Sequence, residues 1–134
     1  MFLQPKKTKY KKIKKGKLKK FEFKANTIKF GELGLKVQIA GLITIQQIEA
    51  ARRIIIRKIR RKGKIWICIF PDLPVTSKST ESRMGKGKGS FSYWATRVQG
   101  GTTLFEICGI PKHIAIEALR AGSRKLPIKT KIFD

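Results

Sequence analysis

The sequence predicts a single α+β domain, and three observations support this class. The chain has 134 residues, of which 41% are hydrophobic, enough to fill one modest core. Two segments place apolar residues at helical spacing, while several others alternate apolar and polar residues as strands do. No internal repeat and no clear linker divides the chain. We therefore expect one folding unit.

The charge predicts a polyanionic partner. Lys and Arg number 32 against 8 Asp and Glu, which gives a net charge of +24 at pH 7. Self-repulsion opposes compact packing at this charge unless a polyanion is bound. Nucleic acid is the first candidate and an anionic membrane surface is the second. No apolar run reaches membrane-spanning length, and Met1 to Lys7 resembles neither a secretion signal nor an organelle transit peptide.

Residues 1–20 are predicted to form a basic arm, and residues 21–134 the domain. The arm holds ten lysines and no acidic residue. We interpret it as an extended segment that orders on RNA; a disordered, solubilising tail is the alternative. The arm residues expected to bind RNA are Lys6, Lys7, Lys9, Tyr10, Lys11, Lys12, Lys14, Lys15 and Lys17.

Strand-like alternation follows the arm, first at Phe21 to Lys24 and again at Leu35 to Ala40. The clearest element comes next, because Thr44 and Gln47 have the spacing of a capping box. The helix is expected to run to about Lys62 and to stop at Gly63. Its apolar stripe is Ile48, Ala51, Ile55 and Ile59. The opposite side carries the residues expected to face phosphate, Arg53, Arg57, Arg60 and Arg61.

A basic amphipathic helix also suits a membrane surface, but the next segment favours protein packing. Lys64 to Phe70 is apolar on both faces, which predicts a central strand beside which the helix docks. From Asp72 to Gly89 the chain is polar and small, and we expect a long loop there.

The loop ends in a pattern suited to phosphate contact: Arg83, Met84, Gly85, Lys86, Gly87, Lys88 and Gly89. Glycine lets backbone amides approach phosphate, and the lysines add charge. The pattern fits neither the dinucleotide fingerprint nor the P-loop, since a strand rather than a helix is expected next. A solvated flexible loop is the alternative.

The remaining elements complete the α+β pattern. Alternation from Ser90 to Gln99 predicts a strand, and Gly100-Gly101 predicts a tight hairpin turn into a second strand, Thr102 to Cys108. Pro111 suits the first turn of a second helix, whose inward residues are Ile114, Ala115, Ala118, Leu119 and Gly122. A last strand or extended tail is expected from Lys125 to Phe133, bent at Pro127.

No catalytic, metal or cofactor site is expected. Cys68 and Cys108 form no C-x-x-C motif, and the better interpretation is that both are small buried hydrophobic residues. His113 has no acidic partners arranged for catalysis and is expected on a helix surface. An enzyme is therefore the weakest hypothesis.

Several longer segments carry sequence patterns that are more informative than basic charge alone. They are Leu3 to Lys9, Gln47 to Arg53, Arg61 to Asp72, Arg83 to Gly89 with Tyr93-Trp94, and Lys125 to Thr130. Together, and in this order over nearly the whole chain, they resemble the bacterial-type family of large-subunit ribosomal protein sixteen.

This resemblance implies a curved antiparallel sheet with two helices packed on it. It also implies a structural role in the large ribosomal subunit, with large-subunit rRNA, tRNA and neighbouring ribosomal proteins as partners, and with neither a membrane nor a small-molecule substrate. The arm would thread into rRNA. The loop, from Lys78 to Gly89, would reach toward tRNA at the aminoacyl site and the peptidyl transferase centre, with Arg83 and Met84 near its tip.

The chain departs from the family pattern in ways that suggest an organelle. Ile39 to Leu42 stand where the family usually has Gly-Arg-Gly-Arg, Gln46 where Arg is common, and Cys68 where a basic residue is usual. Lost arginines and a lysine- and isoleucine-rich composition, typical of an AT-rich gene, fit an organellar ribosome. The segments Asp72-Leu73-Pro74 and Thr80-Glu81 resemble mitochondrial members of the family more than plastid ones. A plastid and the bacterial cytoplasm are the alternatives, as is a free-standing cationic module outside any ribosome.

Overall fold

A computed structural model describes residues 3–16, 18 and 20–134, and it has the predicted α+β architecture with two helices. In chain order its elements are β1 (Leu33–Val37), β2 (Gly41–Thr44), α1 (Ile45–Lys58), β3 (Lys64–Ile67), β4 (Leu73–Ser77), β5 (Ser90–Val98), β6 (Thr103–Cys108), α2 (Lys112–Ser123) and β7 (Thr130–Phe133). All strand pairs are antiparallel.

The strands are antiparallel, as expected, and they form two sheets, whereas the resemblance implied a curved antiparallel sheet. One sheet has the order β3-β6-β1-β7, and the other has the order β2-β5-β4. Gly100 and Gly101 make the expected tight turn, but β5 and β6 enter different sheets, so the predicted hairpin is wrong. Gly101 has a φ of +93°, and a Cβ there would lie 2.5 Å from the carbonyl oxygen of Glu22. Only glycine fits where the sheets separate.

The core lies between the helices and one face of the four-stranded sheet. In the strand register, Leu35 lies opposite Phe105, and Phe105 lies opposite Ile67. Leu35 and Phe105 are buried in one cluster with Ile48 and Ile55 of α1 and with Ala118 and Leu119 of α2. The predicted apolar stripes of both helices are therefore the faces that pack inward.

Helix α1 begins as predicted and ends earlier. The capping box is confirmed: the Gln47 amide donates to Thr44 Oγ1 at 3.3 Å, and the Thr44 amide donates to Gln47 Oε1 at 2.9 Å. The helix stops at Lys58 rather than near Lys62. The following Arg60 and Arg61 have φ values of 50° and 60°, so they leave the helical conformation before Gly63 is reached.

Several strand predictions need correction. β3 ends at Ile67 and lies at the edge of its sheet, so the central strand predicted over Lys64 to Phe70 is wrong. The segment predicted as a loop from Asp72 begins with strand β4, and the irregular part covers residues 78–89. Phe21 to Lys24 form no strand. The predicted elements β5 and α2 are confirmed, and of the stretch predicted as a last strand or tail from Lys125, only Thr130–Phe133 forms the strand β7.

A buried carboxylate fixes the segment that precedes β1. Glu106 of β6 is 1% exposed, and its carboxylate accepts the backbone N–H groups of Phe30 at 2.7 Å, Gly31 at 3.0 Å and Lys29 at 3.2 Å. Burial opposes ionisation of Glu106, but these amide donors outweigh it and lower the pKa of the carboxyl group. These hydrogen bonds hold residues 29–31 against strand β6.

Candidate nucleic-acid interface

The outer side of α1 carries a groove lined by arginines. Arg53 and Arg57 project from the helix, and the left-handed turn after it adds Arg60 and Arg61; all four are exposed. We call the arginine groove the surface lined by Arg52, Arg53, Ile56, Arg57, Arg60 and Arg61, which has a volume of about 610 Å³. The four predicted rRNA-binding arginines thus share one concave surface. Planar guanidinium groups suit phosphate oxygens.

Glu49 organises one end of this groove. Its carboxylate accepts hydrogen bonds from Arg52 Nη2 at 2.6 Å and from Arg53 Nε at 2.9 Å. The hydrogen bond from Arg52 is the main cause that lowers the pKa of Glu49 to about 2, and it raises the pKa of Arg52. The pair therefore stays ionised at neutral pH. Sequence reasoning missed Arg52 as a groove residue, although its three-residue spacing from Glu49 is a signal that could have placed it.

The described part of the arm is irregular and exposes its cations. The lysines at positions 6, 7, 9, 11, 12, 14 and 15 are all exposed, while Lys17 lies outside the described residues. Tyr10 is 65% exposed, and Lys9 Nζ lies 5.7 Å from the centre of its ring. Leu3 differs from them because it is buried in the core cluster. The arm is therefore anchored at its start and open to solvent along its basic stretch.

The arm lies against the basic loop, so the structure brings two predicted sites together. Lys88 Nζ donates to the carbonyl oxygen of Ile13 at 2.7 Å, and Lys12 Nζ donates to the carbonyl oxygen of Lys88 at 3.2 Å. Arg97 of β5 donates to the carbonyl oxygen of Lys15 at 2.9 Å. Among the described residues, no hydrogen bond or ion pair joins the arginine groove to the arm or the loop.

The loop at residues 78–89 has a shaped tip. Lys78 Nζ donates to the carbonyl oxygen of Gly85 at 2.6 Å, which ties the two sides of the loop together. Gly85, Lys86 and Gly87 all have positive φ, and Met84 is 93% exposed. The loop encloses a concavity of about 400 Å³. A bound phosphate could approach its backbone closely because the glycines leave the backbone uncovered.

Gly89 closes the base of the loop. A Cβ at this position would lie 2.3 Å from the carbonyl oxygen of Ser77, the last residue of β4. At Gly85 and Gly87, by contrast, a Cβ would meet no atom within 4 Å. The three glycines therefore differ in role: Gly89 permits close backbone packing, whereas Gly85 and Gly87 permit a left-handed backbone.

The cysteines are not the buried hydrophobic residues that the sequence suggested. Cys68 is exposed and Cys108 is half-buried. Although Cys68 as a whole is exposed, desolvation around its sulfur atom and the nearby Glu106 carboxylate raise the pKa of the thiol to about 12, so it stays protonated at neutral pH. His113 is exposed on α2, as predicted. Across residues 3–16, 18 and 20–134 there is no cluster of three potential metal ligands.

In the described part of the chain, no helix combines the length and the hydrophobicity needed to cross a bilayer. What the described surface does offer is cationic: an arginine groove, a lysine-rich arm and a glycine-lysine loop on a small α+β core. This arrangement defines a basic nucleic-acid-binding protein.

Comparison with known proteins identifies a family within the class of basic nucleic-acid-binding proteins. Residues 5–133 match the family described as ribosomal protein L16p/L10e. The chain is 55% identical over 132 residues to the large ribosomal subunit protein uL16 of Bartonella bacilliformis, with 98% of this chain and 96% of that protein aligned. The uL16 protein of Bartonella henselae gives the same identity and coverage. The chain belongs to the ribosomal protein L16p/L10e family, and it is a structural protein of the ribosome rather than an enzyme.

Proposed function

We propose that this protein is a structural constituent of the large ribosomal subunit that binds large-subunit rRNA and helps to position tRNA near the aminoacyl site. The observation that carries the rRNA contact is the arginine groove, in which five guanidinium groups line one surface. Displacement of counterions from phosphates supplies most of the binding free energy on such a surface. Neighbouring ribosomal proteins are its other partners.

The arm and the loop form the second part of the proposed interface. The contacts between Lys12 and Lys88 and between Lys88 and Ile13 hold the arm beside the loop. Both segments expose their lysines, so phosphates can neutralise them together. The arm contacts rRNA, and the loop, with Arg83 and Met84 at its exposed end, contacts tRNA or rRNA near the peptidyl transferase centre.

Sedimentation tests the ribosomal assignment against a free-standing cationic module. The protein should co-migrate with large subunits through a wash at physiological salt, because the affinity supplied by many phosphate contacts is still sufficient there. Recovery in the soluble or membrane fraction after the same wash would support the rival assignment.

A double variant tests the loop. Arg83→Ala with Lys86→Ala should leave the fold intact, since both side chains are exposed, but should slow accommodation of tRNA in reconstituted ribosomes. The matched control is Lys125→Ala with Lys129→Ala, which removes two exposed cations outside the loop. Equal accommodation rates for the loop variant and the control would contradict the tRNA role.

The ribosome that contains this protein is proposed to be mitochondrial. Support comes from the composition, with 23 Lys, 9 Arg and 19 Ile, and from the apolar Ile39 to Leu42 where the resembled family is usually rich in arginine. Both relatives named above are bacterial, which keeps the bacterial cytoplasm as the alternative. Co-purification with mitochondrial large subunits supports the proposal, and recovery with bacterial ones contradicts it.

A further inference from the structure

The four-stranded sheet has an outer face that belongs to neither the arginine groove nor the loop. In the register, Trp66 lies opposite Glu106, Glu106 opposite Gly34, and Gly34 opposite Phe133. Paired residues in a sheet project to the same face, and the neighbouring row, with Leu35 and Phe105, projects into the core. The row from Trp66 to Phe133 therefore faces away from the helices.

Aromatic rings with lysines beside them occupy both ends of this row. Lys64 Nζ lies 5.1 Å from the centre of the Trp66 ring, and Lys36 Nζ lies 4.5 Å from the centre of the Phe133 ring. Trp66 is on β3, one of the two edge strands of the sheet, and it is partly exposed to solvent. A cation held beside an aromatic ring is an arrangement suited to a base and its phosphate.

Phe30 extends the aromatic surface at Trp66. Its ring is stacked on Trp66 with a centroid distance of 6.1 Å and an interplanar angle of 20°. Phe30 is nevertheless 62% exposed, so most of its surface remains accessible to a ligand. We call this stacked pair the Phe30–Trp66 platform. An exposed phenylalanine is expected to be mobile, but the backbone N–H of Phe30 is bound to the buried Glu106 at 2.7 Å. The platform is thereby preorganised.

We propose that the Phe30–Trp66 platform stacks on an unpaired base of large-subunit rRNA, as a contact separate from the arginine groove. This inference rests on the proposed function. The charge around the platform favours RNA over a neighbouring protein: Lys29, Lys62 and Lys64 are exposed beside it in the chain, against the single exposed carboxylate of Glu32. Glu106 adds no accessible negative charge because it is buried and bound to three amides.

The test is binding of the full chain to fragments of its cognate large-subunit rRNA over a range of salt concentrations. Phe30→Ala should weaken binding about 5- to 100-fold, the loss expected for one base–aromatic stack. It should leave the slope of log affinity against log salt unchanged, since no phosphate contact is lost. Phe30→Trp should keep most of the affinity, and Phe30→Leu, which retains apolar volume without the ring, should lose it.

Phe23→Ala is the matched control, because Phe23 is also exposed, at 78%, but pairs with Phe21, whose ring lies beside the Gly100-Gly101 turn. Unchanged binding by Phe30→Ala and Phe30→Leu, an equal loss in the Phe23 control, or an altered salt slope would overturn the proposal. Failure of the unaltered protein to bind any fragment would overturn the proposed function as well. In assembled subunits, a photo-crosslinker at position 30 should label rRNA; labelling of a neighbouring protein instead would contradict the base-stacking site.

Discussion

Glu106 and Phe30 are joined by a hydrogen bond of 2.7 Å from the Phe30 amide to the buried carboxylate. This bond ties the backbone of Phe30, whose side chain is exposed, to β6, an inner strand of the four-stranded sheet. Because the same carboxylate also binds the amides of Lys29 and Gly31, one buried charge determines the path of three residues. Buried carboxylates are stable in proteins when donors of this kind surround them.

Replacement of Glu106 should therefore destabilise the domain. Glu106→Gln is expected to lower the free energy of unfolding by about 1–3 kcal/mol, because the amide group cannot match the charge-assisted hydrogen bonds to the three amides. Urea unfolding at neutral pH measures the loss. Glu32→Gln, at an exposed position, is the control and should change stability by less than about 0.5 kcal/mol. Equal stability of the two variants would contradict the anchoring role.

The same comparison has a predictable pH dependence. The folded-state pKa of Glu106 lies below the ordinary value of 4.5, so its stabilising effect is fully present above 4.5 and is lost as the pH falls through the folded-state pKa. The difference in unfolding free energy between the parental protein and Glu106→Gln should shrink as the pH falls below 4.5. Glu49 titrates in both proteins, and its contribution cancels. A difference that stayed constant from neutral pH to strongly acidic pH would contradict this assignment.

An arginine of the groove should carry a phosphate contact. Arg57→Ala is expected to weaken rRNA binding and to reduce the slope of log affinity against log salt by about 0.7–0.9, the value for one phosphate contact. Filter binding at four or more salt concentrations measures the slope. The control is Arg120→Ala, at an exposed position on α2 outside the groove. A loss of affinity with an unchanged slope would mean that Arg57 acts by another mechanism.

The loop glycines should respond differently to a methyl group. Gly89→Ala is expected to destabilise the protein by more than about 1 kcal/mol, because the alanine Cβ would overlap the Ser77 carbonyl at the end of β4. Gly87→Ala meets no atom and is expected to strain only the loop, where the φ of +89° is unfavourable for alanine. Amide hydrogen exchange in β4 and β5 distinguishes them: it should rise in the Gly89 variant alone. Equal exchange in both variants would contradict the packing role of Gly89.

The start of the arm should contribute to stability while its basic stretch does not. Leu3→Ala is expected to cost about 2–3 kcal/mol, because Leu3 is buried in the core cluster. Ile13→Ala, at a position that is 41% exposed, should cost much less. Thermal unfolding of both variants measures the difference. If Leu3→Ala unfolds at the parental temperature, the anchoring of the arm at Leu3 is wrong.

The elements that the sequence predicted well are those with local signals. The capping box of Thr44 and Gln47, the apolar stripe of α1 and the proline before α2 each depend on residues within a few positions of one another. The grouping of strands into two sheets depends on long-range pairing. Nothing local distinguishes a glycine turn that makes a hairpin from one that crosses between sheets, as Gly100-Gly101 does.

The candidate site also has features that the sequence predicts locally and features that depend on long-range contacts. Helical spacing is enough to place the arginines of α1 on one face. Arg60 and Arg61 extend the groove because they adopt a left-handed turn, and no residue pattern in the sequence predicts that turn. The pairing of the arm with the loop, through Lys88 and Ile13, joins residues 75 positions apart. The role of Glu106 had one signal in the sequence: it is a lone acidic residue inside an otherwise apolar strand.

The central claim is that clustered positive charge binds this protein to folded rRNA, and the salt dependence of that binding tests it most directly. Affinity for large-subunit rRNA fragments should be measured from low to physiological salt. We expect log affinity to fall linearly with log salt, with a slope of about −4 or steeper, since the groove alone can neutralise several phosphates. An affinity that barely changes over this range would contradict the account.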